Sequence, residues 1–377
     1  MSNDTRKIRI MHVAQAAGGV DRYLRCLVKY LDSNQFENIL ICSQDFKPED
    51  YKDIADEFET VEMQRSIGGN DLKAAKKIRK LIKKYNPDIV YAHSSKAGAI
   101  VRIANIGIKN KCIYNPHGWA FNMQGSKIKQ ATYTLIEKVM SPFANKIVCI
   151  SDAEKKSALN KHICAEKKLN VIFNGVDIQE YENTSNNNIK RSDLGIPDDA
   201  FVVGMVGRLA FQKAPDIFIE MAKCIKEQIP NAHFIIVGNG DMQEQVEEYA
   251  KKYGFKDALH ITGWVDNPLD YVKLFDVATL LSRWEGFGLA IPEYMMCQKP
   301  VVATAVDAIP NLITDHKNGL LVPMENPDAA YNAVMEVYRD EKLKKKIVKQ
   351  GSLDVYDKFD VRRVSNEHEK LFVEILK

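Results

Sequence analysis

Short, almost wholly apolar runs recur along the chain, separated by longer stretches with helical spacing. Residues 8–14, Ile-Arg-Ile-Met-His-Val-Ala, read as a buried strand. Further strand-like runs lie at 38–43, near Val61, and at 88–92, 111–115, 146–150 and 169–173. In the second half they lie at 201–207, 233–237, 259–262, 277–281, 301–304 and 319–322. Between them, apolar residues fall on one helical face. Tyr23, Leu24, Leu27, Val28 and Leu31 do so after the first run, and 214–228 carries Pro215 in its first turn. Strands alternating with helices predict an α/β protein with parallel sheets. The tail, with Phe359, Val361, Val364, Leu371, Phe372 and Ile375, is loosely helical. No short internal period is visible, so solenoids and propellers are set aside.

At 377 residues the chain is long for one core, which predicts two domains. Between Asp177 and Ala200 the composition turns to Asn, Thr and Ser with charges, then Gly195-Ile196-Pro197, an expected exposed connector. The domains are placed at 1–185 and 195–357, with a returning helix at about 358–377.

The charge is uneven. Of 53 Lys+Arg and 50 Asp+Glu, residues 1–190 hold 30 and 21, leaving 23 and 29 for the rest. A basic half implies an anionic partner, either nucleic acid or an anionic membrane surface. Helix 71–85 concentrates this charge, with Lys73, Lys76, Lys77, Arg79, Lys80, Lys83 and Lys84 around an apolar face of Leu72, Ala75, Ile78, Ile82 and Tyr85. It reads either as a sheet-packing helix with a solvated outer face or as a lipid-docking surface. A second candidate is 127–140, where Ile128, Tyr133, Leu135, Ile136 and Val139 lie beside Lys127, Lys129 and Lys138. Interleaved aromatics and a known RNA or DNA module are lacking, so nucleic acid is not expected. The polar start, the lack of a spanning apolar run and seven scattered cysteines without a Cys-x-x-Cys pair predict a cytoplasmic chain with no zinc site and no disulfides. Peripheral attachment to the inner face of the plasma membrane is compatible with this.

Candidate chemistry sits at the carboxyl ends of the predicted strands, where parallel sheets bind ligands. After the first strand come Gly18 and Gly19, a potential anion cradle that lacks the full Gly-x-Gly-x-x-Gly signature. His93-Ser94-Ser95-Lys96 and Pro116-His117-Gly118 follow two others. Gly207-Arg208-Leu209-Ala210-Phe211-Gln212-Lys213 ends the first strand of the second half. Its two cations suit a diphosphate, Arg208 by its planar fork and Lys213 as a point charge. In Ser282–Met296, a strand runs through a Gly turn into a helix expected near Gly288, with Glu285 and Glu293 eight residues apart. A carboxylate there suits a pair of sugar hydroxyls. Taken alone, the same stretch also fits a structural turn with two surface glutamates.

Gly18-Gly19, Gly207-Arg208-Leu209 with Lys213, Glu285-Gly-Phe-Gly-Leu leading to Glu293, Asn174-Gly175-Val176-Asp177 and Ser151 together resemble the retaining glycosyltransferases of family 4, over nearly the whole chain. The resemblance implies the GT-B fold, two facing Rossmann-like domains with a C-terminal helix returning to the first, and neither metal nor redox cofactor. It implies that Arg208 and Lys213 hold the donor diphosphate and that Glu293 takes the ribose hydroxyls. Glu285 and the amides of Phe287, Gly288 and Leu289 would hold the donor sugar, and Gly18 and Gly19 would close over phosphate and sugar. His117 would lie at the reaction centre, and Val265 with the Gly238-Asn239-Gly240 turn near the nucleotide. His93, Ser94 and Lys96 would be acceptor-side residues.

The sequence departs from the family pattern in three places: Gln212-Lys213-Ala214 in place of Glu-Lys-Gly, Arg283-Trp284 before Glu285, and Tyr294 in place of Ala. The His-Ser-Ser-Lys-Ala-Gly and Pro-His-Gly-Trp strings look most like bacterial members that build capsule, exopolysaccharide or lipopolysaccharide. The implied partners are a nucleotide-sugar donor, with weak preference for UDP, and a glycan or polyprenyl-diphosphate-linked acceptor. Two competing readings share the architecture: a sugar-nucleotide 2-epimerase, and a sugar-nucleotide-binding partner without catalysis.

Overall fold

A computed structural model describes residues 6–64, 68, 70–123, 126–184 and 189–377. The chain divides into two compact units, Met1–Gly175 with Val361–Lys377, and Val176–Asp360.

Unit 1 has strands β1 Ile8–Ala14, β2 Phe36–Cys42, β3 Glu57–Thr60, β4 Ile89–His93, β5 Lys111–Asn115, β6 Lys146–Cys149 and β7 Leu169–Val171. Its helices are α1 Gly19–Tyr30, α2 Asn70–Tyr85, α3 Ser95–Ala104, α4 Lys127–Met140 and α5 Asp152–Asn160. The sheet is parallel in the order β3-β2-β1-β4-β5-β6-β7. Strand pleating sends alternate residues to opposite faces. Met11, Val13, Ile39, Ile41, Val90 and Ala92 enter one apolar cluster; Ile10, Ala14, Leu40, Cys42, Ile89 and Tyr91 enter the other.

Unit 2 opens with α6 Ile178–Thr184. Its strands are β8 Phe201–Val206, β9 Ala232–Val237, β10 Leu259–Ile261, β11 Val277–Leu280, β12 Val301–Thr304 and β13 Leu320–Val322. Its other helices are α7 Pro215–Gln228, α8 Gln243–Lys252, α9 Leu269–Val272, α10 Ala290–Met296, α11 Ile309–Leu312, α12 Pro327–Arg339 and α13 Glu341–Asp354. The sheet is again parallel, in the order β10-β9-β8-β11-β12-β13. The last helix, α14 Val361–Leu376, belongs to unit 1, where Val364, Leu371 and Phe372 join the cluster under α1. Gly175 admits it: a Cβ there would come within 2.8 Å of the Val361 Cα.

The division falls earlier than the polar connector suggests. The connector is not a free linker over its described residues, and 185–188 lie outside them. Tyr356 donates to Glu182 at 3.1 Å, and the Lys273 ammonium lies 5.5 Å from the Tyr181 ring centroid. Arg191 donates to the carbonyls of Asp198, Ala200 and Leu274 and to Asp276. Residues 176–184 therefore go with unit 2, as do 358–360.

Both basic helices differ from expectation in detail. On α2, Ala74, Ala75, Ile78, Leu81 and Ile82 are buried while Leu72 is exposed. Several of its cations are used internally: Arg79 donates to the Ala104 and Ile106 carbonyls, Lys77 to Thr60, and Lys84 to Glu59. This is the sheet-packing helix of the two readings. On α4 the only buried residue is Glu137, paired with Arg102 at 2.9 Å. Ile128, Leu135 and Val139 point outward, 80%, 61% and 58% exposed.

Candidate active site

In an open parallel sheet, ligands bind where the strand order reverses, because the connections on either side diverge and leave a crevice. The reversals here are β1/β4 in unit 1 and β8/β11 in unit 2. The candidate residues gather at both.

In unit 2, β8 and β11 pair only through Val203 with Val277 and Gly204 with Ala278, then part. Tyr294 of α10 bridges the gap: its hydroxyl accepts from the Val206 amide at 2.7 Å and donates to the Thr279 carbonyl at 3.3 Å. This departure from the family pattern is a brace at the switch point. Beyond it, the loops after β8 and β11 meet. Lys213 Nζ contacts Glu285 Oε1, which also accepts from Ser282 Oγ at 2.8 Å. Glu285 is 7% exposed, so this pair is largely removed from water.

Arg283 explains why the loops hold together. Its guanidinium forks onto both Asp216 oxygens at 3.1 and 2.7 Å, bonds Glu325 at 2.7 Å and lies 3.9 Å from the Phe211 ring centroid. Its backbone amide donates to the Gln212 carbonyl, and Gln212 Nε2 donates to Trp284. Arg283 is thus a clamp and not a free ligand for donor. Ala214 takes left-handed backbone (φ 49°, ψ 53°). The family's glycine adopts this without strain; an alanine costs roughly 1 kcal/mol.

Arg208 is exposed and its side chain makes no ion pair or hydrogen bond among the described residues. Gly207, Gly238 and Gly240 let the β8 and β9 loops approach: a Cβ at Gly238 would stand 2.2 Å from the Gly207 carbonyl oxygen, and one at Gly240 2.4 Å from that of Leu209. Asn239 accepts the Leu209 amide through its carbonyl and is exposed, and Val265 is half-buried at the end of β10. Gly288 has φ 89°. The helix begins at Ala290, two residues past the expected start, with Glu293 buried in its first turn. Phe287 packs inward on Phe359, and Leu289 is half-buried. Asp307, missed in the sequence, accepts the Glu285 amide at 2.9 Å, and burial raises its pKa.

In unit 1, Gly18 (φ 100°) precedes α1, and a Cβ at Gly18 or Gly19 would meet open space. Period-2 alternation puts Asn38, His12, Tyr91, His93 and Asn115 on the face covered by α1 and α14. His117, in left-handed backbone (φ 49°), is half-buried over this row; its amide donates to Asn115 Oδ1 at 2.9 Å and Tyr23 meets its ring edge-on at 4.6 Å. Tyr23 also bonds His368 of α14 at 2.8 Å. Burial lowers the pKa of each imidazole, to about 4 in His12 and His368, about 3 in His117, and well below the usual value in His93. Ser94 caps α3 by accepting from the Ala97 amide at 3.3 Å, and Lys96 is ion-paired with Asp71. Sequence reading missed His12, Asn38 and His368. The first two sit inside apolar strand runs, and the partners of the third are far away in sequence.

Among the described residues, no group of three or more His, Cys, Asp or Glu is arranged to hold a metal ion, and no helix is long and apolar enough to cross a membrane.

Comparison with known proteins places this arrangement. A family model described as Glycosyltransferase Family 4 matches residues 17–180, and one described as Glycosyl transferases group 1 matches 186–354. The UDP-Gal:alpha-D-GlcNAc-diphosphoundecaprenol alpha-1,3-galactosyltransferase of Escherichia coli is 31% identical over 352 residues, covering 91% of each chain. The capsular polysaccharide biosynthesis glycosyltransferase CapM of Staphylococcus aureus is 24% identical over 84% of this chain and 85% of its own. Among solved structures, Anabaena Alr3699/HepE in complex with UDP has a TM-score of 0.82 at 22% identity, over 97% of this chain and 100% of that one. WaaG, a glycosyltransferase involved in lipopolysaccharide biosynthesis, has a TM-score of 0.75 at 14% identity, over 97% and 99%. The structural likeness carries the fold, two parallel-sheet domains of GT-B type. The likeness in sequence to the E. coli enzyme runs the length of both chains, and this chain belongs to the group 1, family 4 glycosyltransferases.

Proposed function

We propose that this glycosyltransferase moves a sugar, with retained anomeric configuration and without a metal ion, from a UDP-sugar to a glycan or polyprenyl-diphosphate-linked acceptor in cell-surface polysaccharide synthesis. The observation that carries this reading is the meeting of Lys213 and Glu285 at the β8/β11 switch point, with Arg208, unpaired among the described residues, on the same loop. Arg208 and Lys213 supply the positive charge that a departing diphosphate needs, at fixed positions. Glu285, engaged by Lys213 and Ser282, is suited to orient sugar hydroxyls and not to attack the anomeric carbon. The acceptor hydroxyl then attacks on the face from which UDP leaves. The bond from the anomeric carbon to the diphosphate oxygen breaks, the new glycosidic bond forms, and the acceptor proton passes to the phosphate.

Glu293 takes the ribose hydroxyls, and the Phe287, Gly288 and Leu289 amides take the sugar. Gly207, the Gly238-Asn239 turn and Val265 bound the nucleotide. Gly18, Gly19 and His117 of unit 1 are further candidates for donor contact, and His93, Ser94 and Lys96 of the same unit for acceptor contact. The relatives described above, a UDP-galactose enzyme on a diphosphoundecaprenol-linked acceptor and a capsule enzyme, support donor and acceptor class. The exposed face of α4, with Ile128, Leu135 and Val139 among lysines, supports peripheral attachment to an anionic cytoplasmic leaflet.

A thermal-shift panel of UDP-, GDP- and ADP-sugars tests the donor, since a ligand of the folded form raises stability by mass action. UDP-galactose is then incubated with a lipid-diphosphate GlcNAc acceptor in EDTA and the product anomer read by NMR. Failure of every UDP-sugar to stabilise the protein, or an inverted anomer, overturns the reading. Conversion of donor without acceptor points to the epimerase.

A further inference from the structure

Glu285 is held from two sides, both within unit 2. Its carboxylate meets Lys213, which follows β8, and Ser282. Its main chain is held from β12 and the loop after it. Asp307 Oδ2 accepts the Glu285 amide at 2.9 Å, and Thr304 Oγ1, at the end of β12, donates to the Ser282 carbonyl at 2.6 Å. The β12 end thus straps the loop after β11 at residues 282 and 285.

Asp307 takes left-handed backbone (φ 43°). Residues other than glycine enter this region at a cost, and Asp and Asn tolerate it best. The bond to the Glu285 amide is the only hydrogen bond or ion pair of the Asp307 side chain among the described residues. The unusual backbone therefore serves to set one carboxylate on one amide. With that amide occupied, the main chain at Glu285 cannot turn without breaking a charge-assisted bond. Further along the loop, the amides of Gly288 and Leu289 have no partner among the described residues. The strap separates an amide that serves the fold from amides left open to a ligand.

We propose that Asp307 is a positioning residue for the donor sugar. It fixes the main chain at Glu285, and through it the direction in which the Glu285 carboxylate and the Gly288 and Leu289 amides are presented. This role rests on the reading above in which Glu285 meets the sugar; the strap itself does not. Asp307 acts on the sugar end of the donor, since Arg208 and Lys213, assigned to the diphosphate, stand on the loop after β8.

Two substitutions in the full chain test it. Asp307→Asn keeps an oxygen that can accept the amide, and Asp307→Gly removes it without strain, because glycine enters the left-handed region freely. Calorimetry gives the affinity of parent and variants for UDP and for UDP-galactose. Kinetics with the lipid-diphosphate GlcNAc acceptor give kcat/KM, and NMR follows the Glu285 amide. D307G should lower UDP-galactose affinity and kcat/KM about tenfold, the effect of losing one hydrogen bond to a charged group, and leave UDP affinity unchanged. D307N should recover most of this loss, and only D307G should free the Glu285 amide to exchange with solvent. An unchanged D307G overturns the inference. So does a D307G whose UDP affinity falls as far as its affinity for UDP-galactose, or a D307N as impaired as D307G. If D307G frees the amide but UDP-galactose leaves the parent Glu285 signal unmoved, the strap stands, and the sugar reading of Glu285 falls together with the role proposed here.

Discussion

The ammonium of Lys213 rests on the carboxylate of Glu285, with Ser282 completing the same oxygen's partners. These residues follow different strands, β8 and β11, and Arg283 clamps the two loops where they meet. It gives the two cations of this loop different jobs. Arg208 is exposed and carries no such partner among the described residues, whereas Lys213 is both a candidate phosphate ligand and the counter-charge of a buried acid.

Arg208→Ala and Lys213→Ala should therefore separate in stability while agreeing in activity. Each should lower kcat by roughly 10²–10³, the effect of losing one preorganised donor to a developing negative charge. Lys213→Ala also strands the Glu285 carboxylate, which should cost about 3 kcal/mol of unit 2 stability. Arg208→Ala should leave the melting temperature unchanged. Steady-state kinetics and denaturant unfolding of both variants check this, and equal stability loss in the two would contradict the assignment.

Tyr294→Phe should isolate the brace at the switch point. The ring remains, but the part-buried Val206 amide loses the hydroxyl that accepts its hydrogen bond. An unsatisfied buried donor costs about 1–3 kcal/mol, and a part-buried one should fall toward the lower end, about 1 kcal/mol. The loss should appear in urea unfolding with an unchanged m-value. Tyr294→Ala, which restores the common family residue, should cost more because a fully buried ring is deleted.

Most of the strand framework was legible because parallel strands covered on both faces read as bare apolar runs; 8–14, 111–115 and 301–304 match the structure at both ends. Lys213 and Glu285, which meet in the structure, stood out in the sequence as charges in loops that follow apolar strand runs, whereas the clamp made by Arg283 did not. His12 and Asn38 were not legible, since a polar residue within an apolar run gives no sign of the neighbour it meets across the sheet. Nor were the connector and Tyr294. The packing of 189–200 depends on Arg191 reaching Asp276, and the hydroxyl of Tyr294 serves two strands that part only in three dimensions.

The imidazole row makes unit 1 acid-sensitive. For a histidine whose folded pKa lies below its unfolded value near 6.5, the unfolded chain binds more protons between the two. Stability is then complete above about pH 6.5 and is lost as the pH falls toward the folded value. His12, lowered to about 4, contributes a loss of roughly 3 kcal/mol over that window. His93, His117 and His368 act in the same direction. Glu154, raised to about 8 by burial, opposes them, since its share is full below about 4.5 and lost as pH rises through 8. Four groups against one predict that stability falls from pH 6.5 to pH 4.5. Denaturant unfolding across this range measures it, and a flat or rising profile would refute the burial of the row. His368→Gln, which keeps a hydrogen-bonding group beside Tyr23, should flatten the slope.

The outward face of α4 bears on where the enzyme works. Three exposed aliphatic side chains on one helix, flanked by the exposed Lys127, Lys129 and Lys138, combine apolar area with positive charge. On α2 the cations are numerous but several are tied to carbonyls and carboxylates of the same unit. Vesicle binding should therefore depend on α4. Each lysine near an anionic surface contributes about 1 kcal/mol, so replacing all three with Gln should lower partitioning on the order of a hundredfold. Ile128→Ser with Leu135→Ser and Val139→Ser should lower it as well, without loss of stability, since these side chains touch mainly solvent. Flotation with phosphatidylcholine vesicles, with and without anionic lipid, reads both. Equal recovery at the two compositions, or binding lost only when lysines of α2 are removed, would move the contact away from this helix.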